Sequence, residues 1–317
     1  MDLFIGLDLG GTWLKYGLGD GDGRLLTRGK RPSEGQRGRE AIFGSMINAV
    51  KELLGVAKEW GEVRAIGVGS PGLVDYQRGI LMGGAPNLPG WEGADIRGVL
   101  EREFGIPTFA DNDANVMALA EARLGAAREA KQAIFLTLGT GIGGGILIDG
   151  QLYRGAWFAG AELGHTVIKF DGRPCNCGNV GCVEQYASAP GMIRTYREIL
   201  AAKGMSPPAG LTTEQIFARA EQGEVEARKA IEDTAYYLGV ALASFVNIFN
   251  PEVIVIGGGV AEAGDEFIRM AEQVAVRLAQ DVATRGLRVV RASMGNEAGT
   301  VGAILLAVES YATLASG

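Results

Sequence analysis

Leu3, Phe4, Ile5 and Leu7 make a short, nearly continuous apolar run that stops at Asp8, and a second run covers 14–18 beyond a glycine turn. Apolar runs of this length bounded by glycine predict strands, and two of them joined by a tight turn predict a hairpin. A third strand is expected over 25–30. From 38 to 60 the pattern changes: Ile42, Met46, Ile47, Val50, Leu53 and Leu54 recur three and four residues apart, the spacing that gathers side chains on one helix face. A strand over 65–69 then ends in Ser70-Pro71-Gly72, a turn signal.

After a glycine- and proline-rich loop at 83–93, a helix is expected over 95–104, a strand over 107–110 and a helix over 114–124. Strand, glycine turn and strand return at 132–138 and 143–148, with Gly139-Thr140-Gly141 between them. A β-branched strand at 251–256 stops at Gly257-Gly258-Gly259, another strand covers 287–292, and a last helix 299–308. The middle of the chain therefore echoes its start, which predicts two related α/β halves. No low-complexity or charged linker separates them, so the boundary is placed at a hinge near Asp111. The expected domains are a small one over 1–111, rejoined by the C-terminal helix at 299–317, and a large one over 112–298. The longest apolar stretch, 235–249, is shorter than the ~20 residues a bilayer needs and carries Ser244 and Asn247, so it reads as a core helix.

At 317 residues the chain exceeds what one core usually serves, in keeping with two domains. Fifty glycines are more than double the usual share of about 7% and announce many close backbone approaches. A net charge of −7 without a basic stripe argues against nucleic-acid binding, which phosphate neutralisation drives. Residues 1–9 carry Asp2 and Asp8 and no positive segment, so no secretory signal is expected and the cytoplasm is the expected compartment.

Asp8-Leu9-Gly10-Gly11-Thr12 follows a strand and would turn backbone N–H groups and a hydroxyl toward an anion; the plainer reading is an ordinary hairpin turn. Thr137, Gly139, Thr140 and Gly141 form a matching turn, and two such turns suit a nucleotide's phosphates. The chain has neither a G-x-x-x-x-G-K-[ST] loop nor an H-R-D loop, which removes the P-loop and protein-kinase schemes. Glu262 stands where a dinucleotide fingerprint needs its third glycine, so Gly258 and Gly259 read as a surface for an adenosine. Asp113, after Asn112 at a strand end, suits a base accepting the proton of an attacking alcohol, whereas Asp111 reads as a cap of the following helix.

The single histidine, His165, and all three cysteines, Cys175, Cys177 and Cys182, share one short window among Gly, Asn, Pro and Arg, a composition that cannot make a buried strand. Four such donors fit a tetrahedral structural zinc with no open position. A disulfide would leave one cysteine over, and Cys175 and Cys177 lie too close in sequence to bridge without strain. Glu162 and Glu184 flank the window and would be held rigidly enough to accept from sugar hydroxyls.

Asp8 to Thr12, Asn112 to Asn115, Leu138 to Gly145, Gly160 to His165, Cys175 to Glu184, Asn250-Pro251 and Gly257 to Gly259 together resemble the sugar kinases of the ROK family, most closely its ATP-dependent bacterial glucokinases. The resemblance spans nearly the whole chain, and its cysteine block is the most specific part. It implies an α/β, two-lobed actin-like ATPase fold, a duplicated ribonuclease H-like architecture with an interdomain cleft and a zinc loop. It implies ATP-dependent phosphorylation of the 6-hydroxyl of glucose, with Asp113 as base. Asn87, Asn112, Glu162, His165 and Glu184 would bind the sugar, and Asp8 would hold Mg2+ with ATP beside Gly10, Gly11, Thr12, Thr140 and Gly141. A homodimer is also implied. Kinases for mannose, fructose, allose, N-acetylglucosamine or N-acetylmannosamine share these residues, and polyphosphate remains open as a donor. A sugar-responsive regulator should carry a DNA-reading helix-turn-helix ahead of Asp8, where the sequence leaves no room. One departure stands out: relatives often carry lysine directly after Gly-Gly-Thr, whereas here Trp13 stands there and Lys15 follows two residues later.

Overall fold

In the computed structural model, which describes residues 1–262 and 264–316, the chain forms two compact units. The first comprises Met1–Gly125, Leu152–Gly160 and Asn296–Gly317, and the second Ala126–Gln151 and Ala161–Gly295.

Unit 1 grows from the expected hairpin. Strand β1 (Asp2–Leu9) pairs antiparallel with β2 (Trp13–Asp20), which pairs with β3 (Leu25–Pro32). Helix α1 (Arg39–Ala57) then carries the chain to β4 (Glu62–Ser70), parallel to β1. A small hairpin of β5 (Leu73–Asp75) and β6 (Ile80–Gly83) and helix α2 (Ile96–Phe104) precede β7 (Thr108–Asn112), parallel to β4, and helix α3 (Asp113–Arg123). The sheet order is β3-β2-β1-β4-β7.

Unit 2 repeats that plan. Strand β8 (Ala133–Leu138) pairs antiparallel with β9 (Ile142–Ile148), and β10 (Gln151–Leu152) extends the edge. Helices α4 (Glu184–Ala187), α5 (Ala189–Ala202), α6 (Thr213–Glu221) and α7 (Val225–Phe249) follow. Strand β11 (Val253–Gly257) lies parallel to β8; α8 (Gly259–Glu262) and α9 (Asp265–Leu278) lead to β12 (Arg288–Arg291), parallel to β11. The order β10-β9-β8-β11-β12 matches the first sheet strand for strand. The apolar run at 235–249 is the inner half of α7, whose Leu238, Leu242, Phe245 and Val246 are buried in this unit's core.

The C-terminal helix α10 (Ala298–Ser316) returns to unit 1. Period-two alternation along β1 explains its seat. Leu3, Ile5, Leu7 and Leu9 join Ile42, Met46 and Val50 of α1 in one core, while Phe4 packs with Ala65, Ile304 and Ala307 on the opposite face. With both faces covered, β1 carries no polar side chain between Leu3 and Leu7, as central strands of such sheets do not. Among the described residues α10 is the one helix long and apolar enough to cross a membrane, and 61% of its apolar window is buried inside the protein.

The division of the chain differs from the expected break at 111/112. Helix α3 stays with unit 1 because α10 packs directly on it: a Cβ on Gly302 would overlap the carbonyl oxygen of Val116. The segment Leu152–Gly160 also belongs to unit 1, which no local pattern announced.

Much of the glycine excess serves α10. A Cβ on Gly6 would overlap the Thr300 carbonyl oxygen, and one on Gly67 that of Ala303. Both obstacles are backbone, which cannot rotate away. Gly67→Ala is therefore expected to destabilise unit 1 by about 3 kcal/mol, the upper range for overpacking, read as a lower midpoint in urea unfolding at unchanged slope. A midpoint equal to wild type would contradict this packing.

Candidate functional site

The expected site residues divide between the units. Asp8, Gly10, Gly11, Thr12, Asn87, Asn112 and Asp113 lie in unit 1, and Thr140, Gly141, Glu162, His165, Cys175, Cys177, Cys182, Glu184, Gly258 and Gly259 in unit 2.

In unit 1 the β1–β2 turn is closed by Gly10 N–H donating to the Trp13 carbonyl (2.8 Å), and Ser33 supports it through its N–H to Thr12 O (3.0 Å) and its hydroxyl to Gly11 O (2.9 Å). Asn87 lies beside Gly11, its Cβ 3.9 Å from where a Gly11 Cβ would stand. Asp8 is an even-numbered residue of β1 and so faces α10. Its carboxylate abuts Gly299 in the helix's first turn, where a side chain would overlap it. That helix end favours an anion, and Lys15 Nζ stands 4.0 Å from Asp8 Oδ2. Burial nevertheless dominates and holds the Asp8 pKa above the usual carboxylate range, Lys15 opposing. Lys15 also donates to Asn296 O (3.4 Å), while Lys30 of β3, cross-strand from Lys15, lies over the Trp13 ring at 4.0 Å. A cation thus stands beside the turn although position 13 is not lysine.

At the β7–α3 corner Asn112 caps the helix, its Oδ1 accepting from Ala114 N (2.9 Å) and Asn115 N (3.2 Å), and its Nδ2 donating to Gly72 O (2.9 Å). One amide hydrogen is left for a ligand. Asp113 is the first helical residue, and its Oδ1 accepts from Ala114 N (2.9 Å).

The reading of Asp111 as the cap is corrected here. Asp111 is only 2% exposed, and its Oδ2 accepts from Arg154 Nε at 2.7 Å. The partner is 43 residues away, in a segment with no motif, so sequence alone could not pair them.

In unit 2 the second glycine turn is closed by Gly139 N–H to Gly141 O (2.9 Å). Glu184 Oε2 accepts from Ile142 N (2.9 Å) and fills the space a Gly141 side chain would need. Glu184 is thereby tied to the phosphate-type turn as well as to the cysteine block. Gly258, at φ +86°, lies against the Leu138 carbonyl, while a Cβ on Gly259 would meet nothing within 4 Å. The glycine surface is thus open at Gly259 and closed by packing at Gly258.

The four soft donors converge: their ligand atoms all lie within 4.8 Å of one another. Cys175 Sγ is 3.7 Å from His165 Nδ1, and Cys177 Sγ 3.7 Å from Cys182 Sγ. Sulfurs about 2.3 Å from a central zinc at tetrahedral angles stand about 3.8 Å apart, so the donor spacing fits such an ion, and it is far too long for a disulfide. Burial and its sulfur neighbours push the Cys182 thiol up to about 12, so a thiolate there needs a positive partner.

The cluster is held from outside. Bridges Val167↔Cys182 and Pro174↔Val180 shape its loop. Arg173, 9% exposed, donates to Gln185 O (2.7 Å), Gly191 O (3.2 Å), Thr195 Oγ1 (2.9 Å) and Glu198 Oε2 (2.6 Å), and packs over the Tyr186 ring. In the sequence it read only as loop polarity, with nothing to mark its burial.

With Nδ1 turned to the sulfurs, His165 leaves Nε2 facing Glu162 Oε2 at 3.9 Å. Partial desolvation holds Glu162 above the usual carboxylate range; His165 opposes this and the Glu184 charge adds to it. Glu162 follows Ala161, which sits at φ +65° although it is not glycine, a local cost of the kind that concentrates at ligand sites.

Comparison with known proteins agrees with this arrangement. The ROK family matches residues 4–310. A glucokinase of Halalkalibacterium halodurans is 36% identical over 308 residues, covering 94% of this chain and 93% of its own. The ROK hexokinase of Thermus thermophilus has a TM-score of 0.83 at 35% identity, covering 99% of this chain and all of that one. A ROK family glucokinase from Streptomyces griseus, solved in complex with glucose and AMPPNP, has a TM-score of 0.79 at 32% identity over 97% of this chain and 99% of its own. With one sheet order repeated in both halves of an actin-like ATPase fold, a Cys3His cluster and a family match over residues 4–310, the chain belongs to the ROK family.

Proposed function

We propose that this protein is an ATP-dependent hexose kinase that phosphorylates the 6-hydroxyl of glucose. The observation that carries the reading is the histidine held between two environments, Nδ1 toward the Cys175 thiol of the cluster and Nε2 toward Glu162. A metal on Nδ1 fixes the tautomer with hydrogen on Nε2, so the imidazole donates and Glu162 accepts, a pairing suited to sugar hydroxyls. Zinc in this set of four soft ligands would hold the loop and take no part in bond making. The names of the relatives support glucose as acceptor and ATP as donor.

In the proposed reaction O6 of the sugar attacks the γ-phosphorus and its proton passes to Asp113. The bond from that phosphorus to the β–γ bridging oxygen breaks, and ADP leaves. Asp113 opens α3 directly after the end of β7, a strand-end position from which a carboxylate can meet a substrate hydroxyl. The turns at Gly10-Gly11-Thr12 and Gly139-Thr140-Gly141 supply N–H groups and hydroxyls to the phosphates, and Gly259 offers open backbone to the adenosine. Asp8 would hold the Mg2+ that neutralises phosphate oxygens when bound. Asn87 and the remaining amide hydrogen of Asn112 are sugar contacts in this reading, as is Glu184. Free thiols in the cluster support a reducing compartment, the cytoplasm. Assembly as a homodimer rests on the family alone.

A coupled assay of ADP release across glucose, mannose, fructose, allose, N-acetylglucosamine and N-acetylmannosamine, with ATP and polyphosphate as donors, tests the proposal. Glucose with ATP should give the highest kcat/KM. In the same assay Asp113→Asn should fold and bind sugar but turn over at least ~100-fold more slowly, the scale of a lost base. No hexose-dependent turnover in the wild type, or near-normal turnover in the variant, would reject it.

Asp8 gives a second test, with the sign set by its raised pKa. A carboxyl whose folded pKa exceeds its unfolded value stabilises the fold below the unfolded value, about 3.9, and loses that contribution as pH rises through the folded value. At neutral pH the ligand-free fold therefore carries the cost of a buried charge. Asp8→Asn should raise the Tm of ligand-free protein at pH 8, with the gap closing toward about pH 4, while lowering kcat at least ~100-fold. A lower Tm at pH 8 would contradict the assignment.

A further inference from the structure

Directly before the proposed base lies a polar network around the buried Asp111 carboxylate, of which only Asn112 enters the scheme above. Asp111 Oδ1 accepts from Asn112 N (2.8 Å) and Asn115 Nδ2 (3.1 Å), and Oδ2 accepts from Arg154 Nε (2.7 Å). The Arg154 guanidinium lies 3.9 Å from the centre of the Tyr76 ring, and the Tyr76 hydroxyl is 3.4 Å from Ser310 Oγ on α10. Arg154 is also the neck of its own loop, since Gly160 N–H closes back onto its carbonyl at 2.9 Å.

This network carries costs that stability alone does not explain. An ion pair with one end buried, as Asp111 is against the part-buried Arg154, rarely outdoes apolar packing of the same volume. Asn115 spends its amide nitrogen on Asp111, and its own Oδ1 is buried without a partner among the described residues. What the arrangement secures is direction. Asp111 and Asn112 end β7 in register with Gly69 and Ser70 of β4, and Asp113 opens α3 with no residue between. Asp111, Asn112 and Asn115 each make at least two of the bonds at this corner, so the azimuth at which Asp113 leaves the sheet is fixed as well.

We propose that Arg154 is the positioning residue of the reaction. Through Asp111 it locks the β7–α3 corner and so aims the Asp113 carboxylate, without touching substrate. The inference rests on the reading of Asp113 as the base. A misaimed base costs the transition state and leaves sugar binding nearly intact, because orientation is realised only as the proton moves.

The test is the double variant Arg154→Met/Asp111→Asn, in which no buried charge is left unpaired and the amide introduced at position 111 can still accept from its neighbours. Arg154→Lys is measured beside it, since a lysine retains the charge but not the planar fork. kcat is referred to the folded fraction from circular dichroism, so a loss of fold alone leaves it unchanged and counts against the inference. The double variant should show kcat lowered roughly 10- to 100-fold with the sugar KM within about threefold of wild type, and Arg154→Lys should fall between. A kcat within about twofold of wild type, or a loss confined to KM, overturns the inference. Asp113→Asn run in parallel separates the two claims. If it too retains turnover the base assignment fails; if it alone loses turnover, only the role of Arg154 does.

Discussion

Convergence of three thiols and one imidazole on a single point is the constraint from which the loop of unit 2 between His165 and Glu184 takes its order. The loop that bears them is rich in glycine and asparagine and has no apolar core of its own, so its shape depends on the cluster and on the buried guanidinium of Arg173. Once His165 Nδ1 is committed inward, the direction of Nε2 and its distance from Glu162 are set by ring geometry. Glu184 is fixed a second way, by the N–H of Ile142 at the foot of the second glycine turn. A single donor cluster therefore orders both the His165–Glu162 pair and the edge of the second glycine turn.

Unit 1 reaches comparable order by different means. There the ordering element is α10, drawn so close to the sheet that glycines are required at Gly6, Gly67 and Gly302. That approach places the first turn of the helix against Asp8, and so converts a hydrophobic packing problem into an electrostatic site. The costs gather where the chemistry is proposed: a carboxylate buried at Asp8, a left-handed alanine before Glu162, an unsatisfied amide oxygen at Asn115. Left-handed non-glycine residues also occur away from these positions, at Glu34, Asp149, Phe158 and Asn250, so it is the coincidence of buried polar cost with proposed chemistry at Asp8 and Asn115 that marks a scaffold serving a ligand.

Local signals carried much of this. The repeat of strand, glycine turn and strand foretold two related α/β halves, whose sheets prove to share one strand order, and residue type with spacing foretold the donor cluster. Contacts distant in sequence stayed hidden. The partnership of Asp111 with Arg154 spans 43 residues and leaves no periodic trace, so a capping role looked sufficient for Asp111. Helices α5, α6 and α9 were passed over because each buries only a narrow stripe, such as Met192, Tyr196 and Leu200 in α5 and Ile216 in α6, between charged residues. The hairpin of β5 and β6 is too short to show a period at all.

The central claim is that a metal-held histidine and its neighbouring carboxylate form the sugar-recognising surface. Calorimetric titration of glucose into metal-loaded protein and into protein stripped by a chelator addresses it directly, with a non-hydrolysable ATP analogue titrated as the control. The account predicts that stripping abolishes glucose binding while the nucleotide analogue still binds. Equal glucose affinity in the two preparations would contradict it.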